Sequence, residues 1–504
     1  MKETSRKQNA LRNSVVGIMA KSLTILGGYL TRILLVRTVS PELVGLNGLF
    51  FTILGGLMLS NVGLDTAMAY SLFRPVAQGD LSRQLSLLKF YRRVYLCFSG
   101  VILLIGLCVY AFLHEIVRED LDWRTVSAVY FLFLLNTILS YQWASRRTLI
   151  FALQKDFVND LFASGFWILQ YAAQCLILIL FGSFPLFLLV EAVCTGLKNL
   201  SITIYAHRHH PFPKDLTIPA ISKEEKKAHA GNIRAMLLHK SGSTIINNTD
   251  NILLSSMFGI STVASYSNYT LISTSVHQLF TKLIGGVSAG VGNIGVTESK
   301  EQAEAVFSLV LFVTCWVFGF GAAALFILLE PFIQLSFGSQ YVLPQHVVLI
   351  LCLNFYLNGV RRASLIFRDS LGLFRRDRYK TLVEGIVNLI ASIFFASRLG
   401  LAGILVGTTF SYVSVSLWVE PLVLYRDYFR RPTGGYFKRL LVYSLAVAAA
   451  GAAAWAACRM VPGASLWSLL GKAGLCALVA NGLLFLAAWK RPEFQTLKNA
   501  FWSR

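Results

Sequence analysis

Residues 14–36 read SVVGIMAKSLTILGGYLTRILLV, an apolar stretch interrupted by only two charges, Lys21 and Arg32. A helix rises 1.5 Å per residue and needs about 20 apolar residues to cross a bilayer's hydrocarbon, so this stretch predicts a membrane span. It is longer than a signal-peptide core and no small-residue cleavage site follows, so it is expected to remain as the first span. Lys21 and Arg32 stand eleven residues apart. That places them within about 20° of one azimuth and about 16 Å apart along the axis, with Gly28 between them on the same face. A charge at the centre of a membrane helix costs about 2.5–3.5 kcal/mol. A face with two cations therefore points to a wet cavity that accepts anions, and the competing reading is snorkelling to the headgroups.

Outward from this stretch the same pattern recurs. The candidate spans are 14–36, 44–66, 94–113, 125–143, 161–181, 184–204, 236–257, 263–284, 305–329, 342–360, 381–398, 402–424, 440–459 and 465–488, about 14 in all. Composition agrees: only 14% of the 504 residues are charged and 55% are hydrophobic, too little polarity to coat a water-facing surface. A soluble enzyme is excluded. The net charge of +21 would suit phosphate binding, but its placement gives another meaning. With the N-terminus in the cytoplasm, 35 of the 46 basic residues fall in cytoplasmic segments and five (Arg37, Arg118, Arg124, Arg398, Arg459) on the opposite side. This positive-inside asymmetry puts both termini in the cytoplasm and assigns the excess to topology and anionic membrane lipids, leaving no nucleic-acid partner.

The chain also repeats. A shift of 219 residues lays Lys21-Ser22 on Lys240-Ser241, Leu34-Leu35 on Leu253-Leu254 and Gly100 on Gly319; Arg146-Arg147 falls near Arg361-Arg362 at a slightly smaller shift. The expected fold is an all-α polytopic membrane protein, two six-helix lobes related by a pseudo-two-fold axis along the membrane normal, plus two C-terminal helices. The divisions are 1–206 for the N-terminal lobe, 207–235 for a cytoplasmic linker rich in Lys, Glu and Pro, 236–425 for the C-terminal lobe, and 426–504 for the last two helices and a cytoplasmic tail. Two parallel lobes with a site between them suit alternating access.

Intramembrane charges give the candidate site. Lys21, Arg32, Lys198 and Lys240 form the cationic, substrate-binding set; Asp250, Glu191 and Asp65 are candidates for charge pairing or for coupling to a proton or sodium ion; Asn47, Asn61, Asn247 and Asn251 supply cavity polarity. Glu191, Thr195 and Lys198 share one stripe, as do Asn47, Asn61 and Asp65. Asp250 lies too deep for a short carboxylate to snorkel with ease. Glu384 and Glu420 read as ordinary residues near the inner face. Four cations against three anions leave a surplus that can hold a phosphate.

Other motifs carry no chemistry in this frame. Gly290-Val291-Gly292-Asn293-Ile294-Gly295 matches a dinucleotide pattern but lacks a preceding strand, and Asp120-Leu121-Asp122 lies in a short outer loop. His207-Arg208-His209-His210 reads as a headgroup-level cluster rather than a metal site. The eight cysteines read as buried thiols in membrane helices, without disulfide or metal. No nucleophile-base grouping and no P-loop stands out, so no catalytic residues, metal or cofactor are expected beyond a coupling ion.

Several blocks carry a family resemblance. They are Ser40-Pro41-Glu42-Leu43-Val44-Gly45-Leu46-Asn47-Gly48-Leu49-Phe50, Tyr70-Ser71-Leu72-Phe73-Arg74-Pro75, Lys89-Phe90-Tyr91-Arg92-Arg93-Val94-Tyr95, Asn248-Thr249-Asp250-Asn251-Ile252-Leu253-Leu254 with Tyr266-Ser267-Asn268-Tyr269, and Gly372-Leu373-Phe374 with Glu384-Gly385-Ile386-Val387-Asn388-Leu389. Over most of residues 10–425 the chain resembles Wzx-like oligosaccharide flippases, the polysaccharide transporter family of the multidrug/oligosaccharidyl-lipid/polysaccharide exporter superfamily. The resemblance implies a non-enzymatic flippase of the bacterial cytoplasmic membrane. Its cargo would be an undecaprenyl-pyrophosphate-linked oligosaccharide for capsule, exopolysaccharide or O-antigen-type polysaccharide, and its pathway partners a polysaccharide polymerase and glycosyltransferases. Alternatives are a lipid II flippase, a multidrug/cation antiporter and, from a different class, a membrane-embedded glycan polymerase or glycosyltransferase.

Overall fold

The computed structural model describes residues 24–117, 121–153, 155–213, 221–227, 230–231, 250–285, 299–371, 379–463 and 465–502. The described residues fold into helices without a strand. In chain order they are α1 (24–38), α2 (Pro41–Gln78), α3 (Leu81–Ala111), α4 (Trp123–Tyr141), α5 (Ala144–Ala152), α6 (Asp156–Phe181), α7 (Phe184–His209), a segment over 250–258, α8 (Ile260–Gly285), α9 (Lys300–Ser336), α10 (Gln345–Ser370), α11 (Lys380–Leu399), α12 (Leu401–Phe429), α13 (Gly434–Cys458), α14 (Leu466–Ala488) and α15 (Pro492–Trp502). Nine of these are long and apolar enough to cross a membrane by length and composition: α3, α4, α6, α7, α9 and α11–α14. The seventh candidate span, 236–257, and the Gly290 motif fall largely or wholly outside the described residues.

Local chemistry sets the helix boundaries. Asp80 caps α3 by accepting from Arg83 N at 2.8 Å, and Asp122 caps α4 by accepting from Thr125 N at 3.1 Å and the Thr125 hydroxyl at 2.8 Å. Those bonds hold the Asp122 carboxyl below its usual range, the Thr125 hydroxyl contributing most. One carboxylate of the Asp-Leu-Asp motif, Asp122, is thus a helix cap. Gly79 and Gly182 end α2 and α6 in the left-handed conformation that costs a residue without Cβ least. Trp143 adopts φ 59° without being glycine, and it breaks the chain between α4 and α5. Residues 144–152, expected to lie in a loop, are therefore a short helix that aims Arg147 inward. Likewise 361–370, also expected as loop, continues α10.

Two compact units result, Met1–Ala264 and Ser265–Arg504. In the first, α4 packs on α7, α6 on α7, and α2 on α3, α4 and α5. The segment 250–264 belongs with it: Asn251 Nδ2 donates to Thr52 Oγ1 at 2.5 Å, Ser255 Oγ donates to Ile116 O at 2.9 Å, and Gly45 lets α2 approach Ile260. In the second unit α9 runs against α10, α13 and α14, while α11 and α12 lie backbone to backbone, since a Cβ on Gly403 would strike the Phe395 carbonyl and one on Gly407 the Ser392 backbone. Outer faces carry exposed aliphatics, such as Leu103, Leu104 and Leu107 on α3 and Ile168, Leu176 and Ile179 on α6, as lipid contact requires. Five cysteines are buried, but Cys97 and Cys108 lie exposed on α3, because their positions face outward.

Candidate functional site

The first unit holds a partly open cavity of about 250 Å³ among α2, α4, α5, α6 and α7. Its apolar side is Phe51, Leu54 and Phe133; Trp167 and Tyr171 of α6 add two aromatic planes. The 3.6-residue period turns Glu191, Thr195 and Lys198 of α7 into it as one stripe, and Asn136, Thr137 and Ser140 of α4 face them. Asn199 fixes that pairing by donating to Leu139 O at 3.0 Å. Asn136 Nδ2 donates to Glu191 Oε1 at 2.9 Å, and Lys198 Nζ lies 5.9 Å from the Trp167 ring centroid.

Arg147 enters the cavity from α5. It donates to Asp65 Oδ2 at 2.5 Å; Thr148 Oγ1 reaches Asp65 Oδ1 at 3.2 Å, and the Tyr95 hydroxyl donates to the same oxygen. Asp65 is thus a charge-paired residue joining α2, α3 and α5. Tyr171 reaches across to α1, donating to Thr24 O at 3.3 Å and covering Gly27, where a Cβ would meet its ring.

The second unit holds a separate ion cluster. Arg361 of α10 donates to Glu384 Oε1 at 2.9 Å and to Glu420 Oε1 at 2.7 Å; Lys380 pairs with Glu420 and stands 3.7 Å from Glu384. Tyr412, in a π-helical turn of α12, covers the guanidinium with its ring centroid 5.0 Å away. Glu384 is 2% exposed and Glu420 1%, so the expectation of ordinary inner-face residues is corrected. Their burial is tolerated because each carboxylate meets a cation and hydrogen-bond donors.

Of the residues singled out in the sequence, Glu191 and Lys198 share the cavity, and Asp65 joins it through Arg147. Arg32 is half-buried on α1, Asn47 half-buried on α2, and Asp250 half-buried at the start of its segment; none of the three lines the cavity, and Asn251 serves the contact with Thr52. Lys21, Lys240 and Asn247, and the side chain of Asn61, lie outside the described residues. Sequence reasoning missed Arg147, Asn136, Trp167 and Tyr171 as wall residues. Arg147 was absorbed into the positive-inside count; its neighbour Trp143, whose conformation turns it inward, carried no readable signal.

No family model matches the chain, and no curated protein matches it. Solved structures do. The chain is similar to the lipid II flippase MurJ in an inward closed conformation, with a TM-score of 0.68 and 16% identity over 94% of this chain and 98% of that one. It is similar to an inward-facing multidrug resistance MATE family transporter of the MOP superfamily, at 0.61 and 14% over 84% and 99%. A third is the MATE multidrug transporter DinF-BH in complex with R6G, at 0.55 and 16% over 83% and 97%. The all-α polytopic fold is that of these transporters.

Proposed function

We propose that the chain is a flippase that moves an undecaprenyl-pyrophosphate-linked oligosaccharide from the inner to the outer leaflet of the bacterial cytoplasmic membrane by alternating access. The observation that carries this reading is a polar, charged cavity in a unit whose helices present exposed aliphatic side chains, on a fold similar to that of the lipid II flippase MurJ. Charged groups within membrane helices are costly and mark substrate or ion paths. Lys21, Arg32 and Lys240 are the proposed cations for the pyrophosphate, with Lys198 on the cavity wall, and Asp250 or Glu191 the proposed site of proton or sodium coupling. Each negative charge moved outward across an inside-negative membrane gains about 2.3 kcal/mol per 100 mV, so the potential itself contributes to the driving force. The test is transport of a fluorescent lipid-linked oligosaccharide in vesicles of the purified protein. Accessibility to an external glycosidase should rise only with the protein present, and no rise would end the proposal.

A second reading is favoured by the match to the lipid II flippase over nearly the whole chain. Rescue of cells depleted of their peptidoglycan flippase would select it, and failure to rescue alongside oligosaccharide flipping would reject it.

A further inference from the structure

We propose that Arg92 and Arg146, where α3 begins and α7 ends, form a site for the phosphate of a lipid headgroup, apart from the cavity of the first unit. The flippase reading enters only through one of two sources of that phosphate, the pyrophosphate of the cargo lipid; the other is a phospholipid of the membrane.

Arg146 lies in the first turn of α5 and is half-buried. Among the described residues it makes no ion pair and no hydrogen bond. Its Nη1 is sealed from solvent without a partner, while Nε and Nη2, equally unbonded, are not sealed, so a ligand can reach the guanidinium from that side. The one charge acting on it is Arg92, which is exposed on α3 and has the same sign. Burial first, and Arg92 second, hold the Arg146 guanidinium below its ordinary range. Its Cζ stands over the Phe212 ring, 5.2 Å from the centroid. Such a pair of guanidinium groups lacks an anion, and a phosphate meets it with charge-assisted, bidentate hydrogen bonds.

Positive charge continues past Phe212. Two residues before it, His210 has its Nε2 buried without a partner, and burial, then Lys155 and His209, push its imidazole down. The acid that follows Lys155, Asp156, is turned elsewhere: it accepts from Asn159 at 2.8 Å and acts on Arg147. The internal repeat supplies the contrast. Arg146-Arg147 falls near Arg361-Arg362, and Arg361 is met by Glu384 at 2.9 Å and Glu420 at 2.7 Å, as Arg147 is met by Asp65. Of Arg146, Arg147 and Arg361, only Arg146 has no anion from the described residues.

Depth gives the class of ligand. Leu96 lies one turn farther along the same face of α3 as Arg92 and is 49% exposed, at the start of an aliphatic surface suited to lipid. Arg92 thus stands at headgroup level, where a lipid phosphate is the anion at hand.

The test is phenylglyoxal footprinting of arginines on the full-length protein in phosphatidylcholine nanodiscs, read by peptide mass spectrometry. Phosphatidylglycerol and undecaprenyl pyrophosphate are added separately at equal mole fraction. At least one should slow modification of Arg92 and Arg146 about tenfold and leave Arg426 unprotected, and the more protective lipid names the source of the phosphate. Arg146→Gln should remove the protection of Arg92. The inference is overturned if neither lipid protects, if Arg426 is protected alike, so that the effect is general to basic residues, or if Arg92 stays protected in Arg146→Gln. Vesicle transport separates the two proposals. Flipping without protection removes the site and keeps the flippase; protection without flipping keeps the site and ends the flippase.

Discussion

Arg147 donates to Asp65 at 2.5 Å, tying the short helix that follows the left-handed Trp143 to the middle of α2. Both side chains are about a quarter exposed, so the pair is partly desolvated and sits between the weak surface class and the costly buried one. Removing either partner leaves the other beside the cavity without its counter-charge. Asp65→Ala and Arg147→Ala are each expected to lower stability by about 1–3 kcal/mol, with a double variant well short of the sum. Thermal unfolding of the four proteins in detergent gives the cycle, and strict additivity would show that the bond carries no coupling.

The cluster on Arg361 is more demanding, since its members are all at least nine-tenths buried. Arg361→Ala leaves Glu384 and Glu420 with Lys380 alone and should cost about 3–5 kcal/mol. Arg361→Lys keeps the charge but cannot reach both carboxylates with a planar fork, so an intermediate loss is expected. Arg426, whose side chain is 72% exposed in its pair with Asp427, is the control. Denaturant titration in which Arg361→Ala behaved like Arg426→Ala would refute the burial argument.

Helix contact through glycine gives a sharper contrast. Gly403 sits where an added methyl would overlap the Phe395 carbonyl, a backbone atom that cannot swing away, whereas Gly474 of α14 has open space around its missing Cβ. Gly403→Ala should destabilise by about 1–3 kcal/mol through overpacking. Gly474→Ala should stabilise by about 0.5–1 kcal/mol, the helix-propensity difference. Melting temperatures moving in the same direction for both would contradict the close approach of α11 and α12.

Glu225 gives a pH-dependent attachment outside the spans. Its carboxyl is held below the ordinary 4.5 first by the Ser222 backbone N–H and then by Arg83 at the start of α3. A carboxylate with a depressed folded value contributes above its unfolded value, and the contribution is lost as pH falls through the folded value. Segment 221–227 should therefore be protected from proteolysis near neutral pH and released as the pH falls below the ordinary carboxylate range. Glu225→Gln should be cleaved alike at both, and a parent protein with no pH effect would count against the attachment.

The span pattern was legible in the sequence where a helix is a long apolar run with basic flanks: α6 and α14 begin and end within a turn or two of expectation, and α3 ends so but starts early, at Leu81. Much of the site was not. The positive-inside count treats every loop cation alike, so it could not tell Arg147 or Arg361, which turn inward onto carboxylates, from Arg426, which faces water. Helical stripes put Glu191 and Lys198 on one face, and both line the cavity, because they lie on one helix. Asn136 and Trp167 come from other helices, and no periodicity within one helix reports what stands opposite it.

That pairing leads to the last expectation. Glu191 and Lys198 lie two turns apart on one stripe of the cavity, and Asn136 orients the carboxylate by its 2.9 Å bond. Glu191→Gln keeps the polar shape but leaves Lys198 uncompensated, and Lys198→Met strands Glu191 in the same way. If the two opposite charges of this stripe act together in transport, each single change should slow flipping of a lipid-linked oligosaccharide about tenfold, the effect of roughly 1.4 kcal/mol. The double variant Glu191→Gln/Lys198→Met restores balance and should recover part of the loss. Vesicle flipping rates with and without imposed proton and sodium gradients check this. A double variant worse than both singles would mean that the charges act separately, and loss of gradient dependence in Glu191→Gln alone would make the carboxylate a coupling group.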